Sequence, residues 1–139
     1  MPDIFCQIIK KQLPAFIVYE TKTIIAFLDT EPYSKGHILI MPKKHVVELQ
    51  DVDSRTLKEV ILLASRLAKI VKEMFKFDGV VFLCNSGKKL QDIDHLHFHV
   101  YGLNKGQKGF YYQKFKSNKT KEQALQEITV LIRKELMNG

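Results

Sequence analysis

The apolar residues of this chain show two patterns, short apolar runs and helical spacing, which together predict a mixed α and β protein. Short apolar runs bounded by polar or turn-forming residues predict strands at 16–20, 23–28, 37–41, 79–83 and 95–103. Apolar residues at helical spacing predict a short helix capped by Asp3 and a long helix opened by Asp53 or Ser54. The same spacing predicts a closing helix over residues 120–137.

The order and spacing of these elements predict the fold class. Short connections between strands favour an antiparallel sheet, so we expect an α+β fold with five strands and helices packed on the sheet. The chain has no internal repeat and no linker rich in proline, glycine and serine. We therefore expect one domain over residues 1–139, with a core at about 3–102 and a C-terminal extension and helix at 103–139.

Charge and composition narrow the class of protein. The 139 residues carry a formal net charge of +7, which attracts anions such as nucleotides, nucleic acids or acidic lipids. No apolar run is long enough to span a bilayer, and the first residues do not resemble a secretory signal, so we expect no membrane partner. The two cysteines, Cys6 and Cys84, form no CxxC pair, which predicts a reducing, cytoplasmic setting.

The segment 94–102 carries the clearest chemical signal, because three histidines alternate there with apolar residues. In a strand, His95, His97 and His99 would share one face at separations of roughly 6 to 7 Å. One imidazole could then meet a phosphorus atom while the next reaches a leaving group. The alternative is a zinc site, since His-x-His on a strand suits zinc and a third ligand could come from His99, His37 or His45.

The polar loop before these histidines favours phosphate over metal. Residues 85–93 include Asn85, Gly87, two lysines and Gln91. Turns of this composition can direct backbone N–H groups at an anion, and the two amide side chains can donate further hydrogen bonds. These donors beside imidazoles predict a phosphate site.

Taken together, these residues resemble the signature of the histidine triad (HIT) family, in which three histidines alternate with apolar residues. The resemblance covers about residues 3–102. The matching segments are His95-Leu-His-Phe-His-Val-Tyr101, Asn85-Ser-Gly87, Gln91-Asp-Ile-Asp94, the opening helix after Asp3, Ala26-Phe-Leu-Asp29, Lys35-Gly-His37 and Pro42-Lys-Lys-His45.

The resemblance implies a role for each histidine and for a set of binding residues. His97 would be the nucleophile and form a transient nucleotidyl-histidine, His99 would contact the phosphate and protonate the leaving group, and His95 would support His97 through its backbone carbonyl. The implied binding residues are Asn85, Gln91, Asp92 and Ile93 for the phosphate, Asp29 for the ribose, Ile4, Phe5, Ile8 and Phe27 for the purine, and His37 as an auxiliary histidine.

The chain also departs from the family pattern. Many bacterial members bind a structural zinc through Cys-x-x-Cys and two histidines, whereas here Asp3 replaces the first cysteine. A set of Cys6, His45, His95 and Asp3 remains conceivable, but we assign no metal ligands and no cofactor. The loop is one residue shorter, and Leu90 replaces a glycine, which would strain the backbone if that position needs a positive φ.

Two further departures lie around the site. Asp92 stands where some members carry a hydroxyl, and a carboxylate there would either repel phosphate or favour an amine leaving group. After Gly102 the match fades, the tryptophan-proline ending of the Hint branch is absent, and the stretch 104–121 is expected to shape the substrate pocket.

The resemblance predicts a Hint-like enzyme that acts on a purine nucleotide and forms a homodimer. Cleavage of adenosine 5′-phosphoramidates or adenylated amines at the α-phosphate is the first expectation, without a protein-bound metal. Cleavage of dinucleoside polyphosphates, a non-catalytic nucleotide sensor or scaffold, and a zinc-dependent protein remain alternatives. A nucleic-acid-binding module would explain the charge, but the chain has no known nucleic-acid motif, so we do not expect that partner.

Overall fold

A computed structural model describes residues 3–107 and 121–139, and it confirms the predicted α+β fold. The described elements are α1 (Ile4–Ile9), β1 (Ile17–Glu20), β2 (Ile24–Leu28), β3 (Ile38–Pro42), α2 (Ser54–Phe75), β4 (Gly79–Cys84), β5 (Phe98–Leu103) and α3 (Glu122–Asn138), with a 3₁₀ turn at Leu49–Asp51. Asp3 caps α1 and Asp53 caps α2 through their side chains. None of the helices in these two ranges combines the length and apolar character that a membrane span needs.

The strands form one five-stranded antiparallel sheet in the order β1-β2-β3-β5-β4. Strand β5, which contains His99 and directly follows His95 and His97, therefore lies between β3 and β4. In β2, Ile24, Ala26 and Leu28 belong to one buried cluster, whereas Ile25 and Phe27 belong to another. This alternation sends successive side chains to opposite faces of the sheet.

Each face of the sheet is covered by different elements. Helices α2 and α3 pack on one face and form the larger core with residues such as Leu67, Val71 and Ile132. Residues of the short helix α1, Phe5 and Ile8, join Phe27, Leu39 and Met41 in a smaller cluster on the opposite face. The face that carries α1 is also the face on which His97 and His99 line a pocket.

Some predicted boundaries are wrong. The last strand begins at Phe98 rather than His95, because the backbone turns just before it, with the His95 N–H donating to the Ile93 carbonyl and the Leu96 N–H donating to the Val46 carbonyl. Strand β3 begins after His37 and includes Pro42. The closing helix begins at Glu122; Thr120 and most of the stretch expected to shape the pocket lie outside the described residues.

Candidate functional site

A pocket of about 670 Å³ opens on the face of the sheet that carries α1. His97 and His99 both line it, and their ring centroids are 4.9 Å apart, closer than the strand spacing predicted. Nine of the residues that the resemblance implies contribute to its walls. They are Ile4, Phe5, Ile8, Phe27, Asp29, Asp92, Ile93, His97 and His99.

The hydrogen bond of His97 defines which of its nitrogens can react. Its Nδ1 lies 2.8 Å from the backbone carbonyl oxygen of His95. A carbonyl can only accept, so the proton of the neutral imidazole is on Nδ1 and the lone pair is on Nε2. An unprotonated ring nitrogen is what nucleophilic attack on phosphorus requires.

A chain of hydrogen bonds fixes the opposite arrangement in His99. The Tyr33 backbone N–H donates to Nδ1 of His37 at 3.0 Å, so the neutral His37 ring carries its proton on Nε2. That Nε2 lies 2.9 Å from Nδ1 of His99 and donates to it. The proton of His99 is therefore on Nε2, where it can be donated to a ligand.

Burial keeps these rings neutral at pH 7. Burial, together with the neighbouring His97, lowers the pKa of His99 to about 4. The pKa of His37 is lowered well below its usual value by burial and then by His99 and His97. Burial also lowers the pKa of His97, although the bond to the His95 carbonyl and the charge of Asp92 oppose this shift. The site thus offers one nitrogen lone pair and one N–H donor side by side.

Apolar side chains form one end of the pocket. The Phe5 ring lies 5.0 Å from that of His97 and 5.8 Å from that of Phe27, edge to face in both cases. Ile4 and Ile8 extend this surface along α1. A flat aromatic base fits such a wall, because rings stack and pack against aromatic and aliphatic carbon.

Asp29 lies just after β2, where a carboxylate can meet the polar part of a ligand. Its Oδ1 accepts the Glu31 backbone N–H at 2.8 Å, and its Oδ2 is 3.9 Å from Nε2 of His37. Burial raises the pKa of Asp29 to about 6, and the charge of Glu31 raises it as well. A carboxyl group with a perturbed pKa in a pocket is a candidate for a functional residue.

The structure does not place every implied residue in the pocket. Nε2 of Gln91 contacts the carbonyl oxygens of Val47 at 2.7 Å and Gly87 at 3.4 Å, so its donors secure the loop. Asn85 is half-buried and is not part of the pocket wall, and His37 acts from behind His99. For Asn85 and Gln91, contact with phosphate stays a prediction.

The backbone of the loop is not strained at Leu90. Among the described residues, the non-glycine positions with positive φ are Lys11 and Lys76, and Gly87, at φ +125, provides the turn. The Leu90 N–H donates to the Gly87 carbonyl at 3.0 Å, and the Leu90 side chain is exposed. The strain expected from the missing glycine is therefore absent at Leu90.

His95 has a different role from that of the other two triad histidines. Its ring is fully buried against Cys6 and Phe5 of α1 and its Nε2 donates to the Pro42 carbonyl at 2.7 Å, so it lies on the same side of the sheet as His97 but is not part of the pocket wall. The turn before β5 rotates its side chain away from the pocket. Its Nδ1 instead faces Cys6 Sγ at 3.5 Å.

Four potential metal ligands meet at this second place. Cys6 Sγ lies 3.4 Å from Nδ1 of His45 and 3.4 Å from Oδ2 of Asp3, and that Oδ2 is 3.2 Å from Nδ1 of His45. Tetrahedral zinc, with bonds of about 2.0 to 2.3 Å, requires ligand separations of roughly 3.3 to 3.5 Å. The bond from His95 to Pro42 is the kind of outer contact that orients a metal-bound imidazole.

The donor set therefore fits zinc, and the role of such an ion can be stated. Asp3, Cys6, His45 and His95 would hold it, with all four positions filled by protein. A closed site of this kind supplies no open coordination position and is structural. It would fix the start of α1 to the chain after β3, while the pocket chemistry would stay with the other histidines.

Sequence reasoning missed several residues that line the pocket. Tyr33 and Glu31 lie in the loop before β3, and Leu39 and Phe16 reach the pocket from β3 and from just before β1. The apolar pattern predicts burial for Leu39 and Phe16, but it does not distinguish a pocket wall from a core. For Tyr33, in an irregular loop, no local pattern indicates a role.

Comparison with known proteins agrees with the fold. Residues 10–106 match the HIT domain. The chain is 44% identical to the adenosine 5′-monophosphoramidase of Saccharomyces cerevisiae over 98 residues. The matched segment covers 70% of this chain and 60% of that protein. The match thus spans less than two thirds of that relative.

Solved structures are similar over nearly the whole chain. A Hit-like protein involved in cell-cycle regulation from Bartonella henselae, solved with an unknown ligand, has a TM-score of 0.82 at 33% identity and covers 96% of this chain and 95% of that one. A zinc-bound histidine triad family protein from Mycobacterium smegmatis has a TM-score of 0.77 at 28% identity, covering 97% and 93%. The chain belongs to the HIT family.

Proposed function

We propose that this protein hydrolyses purine nucleotides at the α-phosphate, with adenosine 5′-phosphoramidates or adenylated amines as substrates. The observation that carries the proposal is the pairing of tautomers: the lone pair on Nε2 of His97 and the N–H on Nε2 of His99 belong to two rings that line one pocket. The phosphoramidase activity of the yeast relative supports the choice of substrate.

Two steps follow from this pairing. In the first, Nε2 of His97 attacks the α-phosphorus, the P–N bond to the amine breaks, and the departing nitrogen, which accepts a hydrogen bond from the Nε2–H of His99, takes its proton from a water molecule. In the second, the hydroxide left by that water attacks the same phosphorus, and the P–Nε2 bond to His97 breaks. The products are a nucleoside monophosphate and an amine, and both histidines recover their starting tautomers.

The remaining implied residues would bind the nucleotide. The apolar end of the pocket, with Phe5, Phe27 and Ile8, would take the purine, and Asp29 would accept hydrogen bonds from the ribose hydroxyls. Backbone groups near Asp92 and Ile93 would hold phosphate oxygens as charge develops in the transition state. The His95 carbonyl would keep His97 in its reactive tautomer.

The charge of the pocket favours an amine over a polyphosphate as the leaving group. Among the described residues that line it, the carboxylates are Asp29, Glu31 and Asp92, and none is lysine or arginine. A dinucleoside polyphosphate would bring several negative charges to these carboxylates without a cation to neutralise them. An amine-linked nucleotide brings one phosphate only.

The test compares the parent with His97→Asn on a fluorogenic adenosine 5′-phosphoramidate in the presence of a chelator. We expect the variant to lose at least about a thousandfold in kcat/KM, because a nucleophile cannot be replaced by binding alone. AMP binding by both proteins, measured by calorimetry, controls for folding. AMP binding without turnover by the parent would contradict the proposal and indicate a sensor or scaffold.

We also propose that the protein is a homodimer in a reducing cytoplasm. Strand β4 is an edge of the sheet, and its Phe82 and Leu83 are exposed, which suits pairing with a second copy. Cys6 and Cys84 are both free thiols, which suits a reducing compartment. Sedimentation of the parent and of Leu83→Lys tests the dimer: a parent that sediments as a monomer would contradict it.

A further inference from the structure

The pocket has a second aromatic side, which is more polar than the end formed by Phe5 and Phe27. Tyr33 lines the pocket beside His99, with the two rings 6.3 Å apart and inclined by 27°. Phe5, in contrast, lies beside His97, and Phe27 packs on Phe5. When His97 attacks phosphorus, the leaving group departs on the opposite side and accepts a hydrogen bond from the Nε2–H of His99. Tyr33 therefore lies on the leaving-group side.

The Tyr33 ring is packed against its neighbours on one side and partly exposed to the pocket. Its backbone N–H donates to His37, and its ring packs edge to face on the buried ring of Tyr101 at 5.2 Å. Even so, 45% of Tyr33 is exposed. An aromatic ring that is fixed on one side and exposed on the other is a low-entropy surface for a ligand, because little side-chain freedom is lost on binding.

Carboxylates line the same pocket as this ring. Burial raises the pKa of the Tyr33 phenol, and the charges of Asp29 and Asp92 act in the same direction. Glu31 lines the same wall. Negative charge beside an exposed aromatic face favours a cation, since the ring face and the carboxylates attract it together.

We propose that Tyr33 is a specificity-determining residue that receives a cationic leaving group, assisted by Asp92 and Glu31. The preferred substrate is then a nucleoside phosphoramidate whose amine fragment carries a second, protonated amino group. This inference rests on the proposed function, because it assigns the leaving-group side from the roles of His97 and His99. The bonds made and broken are those of the hydrolysis described above.

The test uses three adenosine phosphoramidates whose substituents have similar length: aminohexyl, heptyl and carboxypentyl. AMP release gives kcat/KM for each compound. We expect the parent to favour the cationic compound over the neutral one by about tenfold, and the anionic compound to be the poorest. The preference should decrease as salt is added, because the carboxylates of Glu31 and Asp92 are exposed and screened.

Variants locate the preference at the ring and its neighbours. Tyr33→Ala should reduce the ratio of cationic to neutral kcat/KM to about one to two, whereas Tyr33→Phe should keep most of it, because the aromatic face remains. Asp92→Asn and Glu31→Gln should each lower the ratio in part. Glu73→Gln, an equal loss of charge at an exposed position on α2 outside the pocket wall, is the matched control and should not change it.

The outcomes separate this inference from the proposed function. Equal turnover of the three compounds by the parent, or an unchanged ratio in Tyr33→Ala, would overturn the role of Tyr33 and leave the phosphoramidase proposal standing. No turnover of any compound would contradict the phosphoramidase proposal instead. Binding of sulfamoyl adenosine analogues with the same substituents, which cannot be hydrolysed, then tests Tyr33 alone, and equal affinities would overturn it.

Discussion

Two groups of histidines lie on the same face of the sheet, and they differ in what their nitrogens meet. At the pocket, backbone groups fix the rings of His37 and His97, and His37 in turn fixes His99. At the second cluster, the ring nitrogens of His45 and His95 converge on Cys6 and Asp3. The pocket places the lone pair of one histidine beside the N–H of another, whereas the second cluster directs its donor atoms at one common point.

The difference shows that ring orientation, rather than the presence of histidine, decides the chemistry. His95 belongs to both groups, since its carbonyl accepts from His97 while its ring turns towards Cys6. A chain of outer contacts that specifies each tautomer is what acid–base work needs. Convergence of four donor atoms at zinc separations is what a metal needs.

The largest effect expected from this comparison is the loss of zinc affinity when a donor of the second cluster is removed. We expect the parent, purified with zinc, to bind about one ion per chain, and Cys6→Ser to weaken zinc binding by more than about a hundredfold, since loss of an outer contact alone costs 10–100-fold. Competition with a metallochromic chelator measures the affinity.

The matched control for zinc binding is His97→Asn, which removes the proposed nucleophile but none of the four donors. It should bind zinc as the parent does. If the parent binds no zinc, the second cluster is a hydrogen-bonded group in which the Cys6 thiol donates to Asp3.

The next effect concerns the positioning residue His37. His37→Phe removes the donor to Nδ1 of His99 and so releases the tautomer that directs the Nε2–H of His99 at the leaving group. We expect kcat to fall about tenfold to a hundredfold for amines that leave poorly, and much less for an aryl leaving group that needs no proton. Kinetics over a series of leaving-group basicities measure this; an equal loss across the series would indicate a purely structural role.

The sequence predicted the fold and the proximity of His97 to His99, but not the division between the two groups. Helices, strands and the core face followed from apolar spacing, because burial imposes that spacing. The pairing of His97 with His99 followed from their alternation. The position of the His95 ring did not, because it depends on a local turn before β5. Tyr33 reaches the pocket only through the packing of its loop on His37 and Tyr101.

A smaller effect concerns stability in acid. Burial depresses the pKa of His99 to about 4 in the folded protein, whereas an unfolded histidine has a pKa near 6.5. The resulting stability is complete above the unfolded value and is lost as pH falls towards 4. As the pH falls over that interval, we expect the free energy of unfolding of His99→Gln to decrease by up to about 3 kcal/mol less than that of the parent. Asp29, whose raised pKa acts in the opposite direction, is present in both proteins, so denaturant melts of the pair isolate His99.

The smallest effect sharpens the account of His97. Attack requires its unprotonated form, so kcat/KM should fall on the acid side as His97 gains a proton. The charge of Asp92 stabilises the protonated ring and thus raises the pKa of His97 relative to what burial alone would give. Asp92→Asn should therefore move the acid limb of the kcat/KM profile to lower pH by a few tenths of a unit, because an exposed charge acts weakly. Glu73→Gln should leave the limb in place; a shift to higher pH in Asp92→Asn would mean that the titrating group is not His97.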